Sequence, residues 1–134
     1  MKTGKYSMNF HTKYPALSDL RARAQRRLPH FVWEFLDSGT GVEQTKARNR
    51  DQLDRVLLSP SILHGEIEPD VSGHLLGQTY GLPVGIAPIG MSGLIWPGAE
   101  RHLARSSAKI DIPYCLSTVA SQTPEDVAGD LGNH

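Results

Sequence analysis

Pro83-Val84-Gly85-Ile86-Ala87-Pro88-Ile89 is a short, unbroken apolar run that ends in Gly90-Met91-Ser92-Gly93, and its reading decides the fold. A run of this length without polar alternation suits a strand buried on both faces. The Gly-rich turn leads to a helix near Gly98 to Lys109, with Leu103, Ala104 and Ala108 facing inwards. Ile112-Pro113-Tyr114-Cys115-Leu116-Ser117 repeats the apolar run, and Thr123 or Ser121 caps a further helix opening at Pro124-Glu125-Asp126. Strand, helix, strand, helix at this spacing specifies parallel βαβ units with a right-handed crossover. Two parallel strands cannot make a covered sheet, so the pattern is the beginning of an α/β domain.

Upstream, residues 1–17 are mostly polar and patternless, a loose lead-in. Residues 18–54 form a helical segment. Ser18 and Asp19 offer an N-cap to a helix striped by Leu17, Leu20, Ala24 and Leu28. Pro29 fits the first turn of a second helix with an inner face of Val32, Phe35 and Leu36, ended by Ser38-Gly39. A third helix, Val42 to Asp54, is polar and should pack lightly. Residues 55–82 hold short apolar runs punctuated by Pro60, Gly65 and Pro69, then a small hairpin around Leu75-Leu76-Gly77-Gln78-Thr79-Tyr80. Residues 83–134 carry the two βα units. No linker separates these parts, so the expectation is one incomplete domain.

The 134 residues hold 14 Lys+Arg against 14 Asp+Glu, with six His and one Cys. Zero net charge gives no general attraction to nucleic acid or anionic membrane. One Cys excludes an internal disulfide and thiolate zinc cages, and the N-terminus lacks the apolar core of a secretory signal. No stretch approaches the ~18 apolar residues of a membrane span. A cytoplasmic protein without an integral membrane segment is the expectation.

In α/β barrels the C-terminal strand ends form the active face. Gly90 removes a Cβ there that would obstruct a flat ligand, and Ser117 and Thr118 supply hydroxyls at the same level. Spacing alone favours a plainer reading, in which Gly90 permits a turn and Ser117 ends a strand. The six histidines show no metal-ligand spacing, so each is expected in a surface or hydrogen-bonded role. Arg21, Arg23, Arg26 and Arg27 read as a solvated helix face, and Cys115 as a buried, inert thiol.

Arg27-Leu28-Pro29-His30-Phe31-Val32-Trp33-Glu34-Phe35-Leu36-Asp37-Ser38-Gly39 is similar to the N-terminal helical motif of FMN-dependent 2-hydroxy-acid oxidases and dehydrogenases. So are Asn49-Arg50 with the Leu57-to-Leu63 segment, and Leu75-Leu76-Gly77. Ile86-Ala87-Pro88-Ile89-Gly90-Met91 and Leu116-Ser117-Thr118-Val119-Ala120-Ser121 resemble the family's first two barrel strands. Glu125-Asp126-Val127-Ala128 resembles the helix that follows them. The motifs stand in family order from about residue 17 to residue 131. The resemblance implies an α/β fold: the N-terminal part of a TIM barrel, with a helical N-terminal segment, a bottom-closing hairpin and the first two βα units. It implies FMN as cofactor, a small 2-hydroxy acid as substrate, and a homo-oligomer, often a tetramer, in the full-length form. Pro88, Ile89, Gly90 and Ser117 would bind the flavin. Phe35 and Val119 would bind substrate.

The sequence departs from the family at Phe35, where active members usually carry a Tyr whose hydroxyl holds the substrate carboxylate. Asp111 stands where a Gly usually follows the helix, in a left-handed cap that Asp tolerates moderately well. Gly90, where oxidases of the family often have Ala, leans towards a dehydrogenase. The family's catalytic base, its substrate-binding Arg and its phosphate site lie downstream of His134 and have no counterpart here. No catalytic residue and no metal ligand are therefore assigned. The expectation is an oxidoreductase fragment that is inactive alone. Alternatives are a non-catalytic chain that associates with a separate C-terminal barrel part, or a decayed remnant.

Overall fold

The computed structural model describes residues 10–60, 62, 65–66 and 68–132. The expectations for the start of the lead-in and for Ser61, Leu63, His64 and His134 lie outside the described residues, as does the His11 side chain. The chain forms two compact units, Met1–Leu53 and Asp54–His134, described in turn.

The first unit contains α1 (Phe10–Lys13), α2 (Leu17–Arg27), α3 (His30–Asp37) and α4 (Gln44–Asp54). The N-cap of α2 is Ala16, not Ser18 or Asp19. Asp19, on the first turn, reaches back and its Oδ2 accepts the Ala16 N–H at 3.0 Å, where the helix dipole favours an anion. Pro29 is likewise the cap of α3 and not its first residue. The buried face of α3 is Val32 and Trp33, at 2% and 7% exposure. Phe35 and Leu36, expected inside, are 44% and 42% exposed.

The reason is visible on α2. Arg21 lies 5.8 Å from the Trp33 ring centre and grips Asp37 through two bonds of 2.8 and 2.7 Å. Trp33 and Asp37 are one helical turn apart, so this contact turns their side of α3 towards α2. Arg23 similarly bonds the Tyr14 hydroxyl and stacks on its ring. The basic helix face is thus partly engaged and not simply solvated. The α4 helix buries no residue, in line with its polar sequence.

The second unit opens with exposed chain outside any helix or strand; Val56, Leu57 and Leu58 are all largely exposed. Strand β1 (Gly73–Leu75) pairs antiparallel with β2 (Gln78–Tyr80), His74 opposite Thr79. Next come the segment 83–90, then α5 (Ser92–Ile95) and α6 (Ala99–Ile110), the segment 112–119, and α7 (Pro124–Leu131). The turn expected at Gly90–Gly93 therefore runs into a short helix. Asp111 has φ 56° as the left-handed cap of α6, and its carbonyl accepts the Gly81 N–H at 2.9 Å.

The buried stripe of α6 is Glu100, Ala104 and Ser107, with Val127 of α7 also buried. Small residues at 104 and 107 admit the neighbouring chain closely, leaving Leu103 and Ala108 half-buried. Asp130 of α7 ties back to α6 through Arg101 at 2.6 Å and Arg105 at 3.5 Å. Thr123 caps α7, its hydroxyl accepting from the Asp126 N–H while the Asp126 carboxylate accepts from the Thr123 N–H.

The two segments expected to be strands buried on both faces run parallel, but they are open to solvent. Ile86 pairs with Tyr114 in a single parallel bridge. Val84 is 59% exposed and Ile89 41%. Pro83, Pro88 and Pro113 have no N–H to donate, which interrupts the ladder. Cys115 is exposed, not buried, and lines an apolar cleft of about 490 Å³ with Leu75, Tyr80, Leu82, Val84 and Ile86.

Candidate functional site

Parallel pairing brings the ends of the two segments together. Ile86 N–H donates to Pro113 O at 2.9 Å, and Cys115 N–H donates to Ile86 O at 3.0 Å. Further along, Met91 N–H donates to Val119 O at 2.9 Å. Gly90 and Ser117 therefore lie on one edge, at the C-terminal ends of adjacent parallel segments. A Cβ on Gly90 would stand 2.9 Å from Val119 Cγ2 and 3.8 Å from Ser117 Oγ. Met91 turns the chain into α5 with φ 49°.

Ser117 ends its segment in a turn. Its Oγ accepts the Val119 N–H at 3.2 Å, and its carbonyl accepts the Ala120 N–H at 3.1 Å. The hydroxyl hydrogen remains available to an acceptor outside the turn. Pro88 and Ile89 expose their edge of the first segment, and Val119 is 60% exposed beyond Ser117. The face thus offers accessible backbone, the Ser117 hydroxyl and an apolar side chain, with Thr118 exposed beside them. That combination suits a flat, partly polar ring. Phe35 belongs to the first unit, on the outer side of α3.

Sequence reasoning missed Glu100. It is 1% exposed, and its Oε1 accepts the Gly93 N–H at 3.1 Å and the Ser121 N–H at 2.9 Å. Burial pushes its pKa up. The N–H of Ser121, its own N–H, the Ser92 hydroxyl dipole and the Gly93 N–H together outweigh burial and hold it below the usual carboxylate range. Burial, and then the Glu100 charge, raise the Tyr114 phenol. An acidic residue in register with Ala104 and Ser107 was the available signal.

The other candidates are local. His74 Nδ1 meets Thr79 Oγ1 across the hairpin at 3.0 Å, His102 Nδ1 meets Arg105, and His30 lies 3.7 Å from Glu34. Among the described residues no group of three or more His, Cys, Asp or Glu could hold a metal, and no helix is long and apolar enough to cross a membrane.

A βα repeat with parallel segments side by side is the opening of an α/β protein, a class whose barrels bind their ligands at the C-terminal strand ends. Residues 24–134 match the model of the FMN-dependent dehydrogenase family, and the chain belongs to that family. An L-lactate dehydrogenase of Caulobacter vibrioides is 39% identical over 103 residues, covering 77% of this chain and 27% of the relative. Mandelate oxidase superposes with a TM-score of 0.78 at 30% identity, over 87% of this chain and 34% of that one. A soluble mutant of the membrane-associated (S)-mandelate dehydrogenase from Pseudomonas putida gives 0.75 at 33% identity, over 84% and 32%. The chain spans about a third or less of the length of these relatives. The family's cofactor is FMN.

Proposed function

We propose that this chain supplies the N-terminal part of a TIM-barrel enzyme that oxidises an L-2-hydroxy acid to a 2-keto acid with FMN. The observation that carries the reading is the meeting of Gly90, Ser117 and Val119 at the ends of two parallel segments. In this reading the backbone of Pro88, Ile89 and Gly90 lies along the flavin, and the Ser117 hydroxyl donates to a ring acceptor. Val119 walls the substrate pocket, and the place of Phe35 in the family motif gives it a substrate-binding role. FMN, when bound, accepts the two electrons that leave the hydroxyl-bearing carbon. Phe35 in place of a Tyr removes a hydroxyl from the substrate carboxylate, a loss of about 1.5–3 kcal/mol for a charged partner. That favours a bulkier or more apolar hydroxy acid over lactate. The protein is proposed to be cytoplasmic and, in its full-length form, a homo-oligomer.

The 134-residue chain alone is proposed to be inactive. Oxidation requires a base within hydrogen-bond reach of the substrate hydroxyl, and no residue here matches the family's base. An alternative, association with a separately encoded barrel part, draws on the open apolar cleft beside Val84 and Ile86. The test is purification with added FMN, followed by flavin absorbance and dye reduction with lactate and mandelate. Colourless, inactive protein is expected. Mixing it with the C-terminal remainder of the Caulobacter relative is expected to restore flavin absorbance. A yellow, active chain by itself would overturn the fragment reading.

A further inference from the structure

Glu100 does something that its own helix does not require. A helix start is usually satisfied by a short polar side chain at the cap, yet Gly98 caps α6 with no side chain at all. Besides engaging its own N–H at the helix start, the Glu100 carboxylate accepts one N–H from each of two other turns: Gly93, in the single turn of α5 after the first parallel segment, and Ser121, after the second. These turns are already at closest approach. A Cβ on Gly93 would stand 2.6 Å from Ser121 Oγ and 2.7 Å from its Cβ. The other oxygen, Oε2, is buried and has no hydrogen-bond partner among the described residues. A buried acidic group held by two backbone donors is a strong, geometrically exacting contact, and a costly one to leave unmade.

We propose that Glu100 is a positioning residue, whose carboxylate fixes the spacing of the two turns that follow Gly90 and Ser117. The functional meaning rests on the flavin-face reading above; the bracing itself does not. The two N–H groups converge on one oxygen, so neither turn can shift without losing its bond. Gly90 and Val119, which precede Gly93 and Ser121 along their two segments, approach each other closely. Glu100 thereby sets the distance across the face without touching a ligand.

The experiment is amide hydrogen exchange by mass spectrometry on dilute 134-residue chain, as wild type, Glu100→Gln and Glu100→Ala. Peptides spanning 90–95 and 117–123 report the turns, and a peptide within 101–110 reports the fold of α6. Glu100→Ala is expected to speed exchange in both turn peptides about ten-fold or more while α6 stays protected. Glu100→Gln keeps an acceptor oxygen and is expected to stay near wild type, within about three-fold. Equal turn exchange in wild type and Glu100→Ala overturns the inference. If Glu100→Ala unprotects α6 as well, Glu100→Gln decides: wild-type protection of both turns supports the brace, and loss there with α6 intact overturns it. A parallel series with millimolar FMN, on the chain mixed with the C-terminal remainder of the Caulobacter relative, separates the two readings. Protection of 88–91 and 116–119 in wild type and Glu100→Gln but not Glu100→Ala supports both. No FMN effect in any form counts against the flavin face alone, and the exchange without FMN still judges the brace.

Discussion

Gly90 occupies a position where a single methyl group would be felt by a neighbour with another duty. Its absent Cβ would fall 2.9 Å from Val119 Cγ2, closer than carbon atoms pack. From the sequence, the missing Cβ is expected to let a flat ligand approach. In the structure the space belongs first to Val119, so any effect of residue 90 is passed to the side chain proposed to wall the substrate pocket. Val119 is 60% exposed and free to rotate, so the strain is relieved outwards. Gly90→Ala is therefore expected to change the Val119 rotamer and to cost about 0.5–1.5 kcal/mol in a thermal melt. A crystal structure with Val119 unmoved would separate the two positions. Gly90 and Ser117 could be paired from the sequence because each ends a like-patterned run. The link between Glu100, Gly93 and Ser121 could not, because backbone N–H donors leave no mark on residue identity.

Elements were legible where local chemistry decides them. The α7 cap needed only Thr123 and Asp126 at the right offset, and both act as their spacing suggests. The inner face of α3 depended on Arg21 from another helix, and no periodicity within residues 30–37 carries that information. The hairpin lies between these cases. Leu76 and Gly77 both have positive φ, 51° and 82°, as a type I′ turn demands. Gly77 meets that demand freely, whereas Leu76 is a poor occupant and is 95% exposed, so no packing compensates for it. Leu76→Asn creates the Asn-Gly pair that this turn prefers, and removes an apolar side chain from solvent. It is expected to raise stability by roughly 1 kcal/mol, read as a higher denaturant midpoint at unchanged slope. An unchanged or lower midpoint would mean that the hairpin is not part of the cooperative unit.

The whole molecule buries little. Among the described residues the buried apolar side chains are Val32, Trp33, Ala104 and Val127, while Val84, Leu94 and Val119 are all close to half exposed or more. The sequence had implied strands covered on both faces, because an unbroken apolar run looks the same whether or not anything covers it. Coverage comes from other chain, and sequence pattern alone cannot supply it. A parallel pair with a free edge, next to an apolar cleft of about 490 Å³, presents both unpaired backbone and unburied side chains. Such surfaces promote association at about micromolar to millimolar concentrations. The chain is therefore expected to sediment as concentration-dependent oligomers and to bind an apolar fluorescent dye. A Val84→Lys variant places a charge beside the cleft and the segment edge, and should shift the distribution towards monomer and lower the dye signal. Adding the C-terminal remainder of the Caulobacter relative should do the same to the wild type by covering the same face. Dye-free monomer at millimolar concentration would show that these faces need no cover, and the reading of the chain as one part of a larger barrel would fall with it.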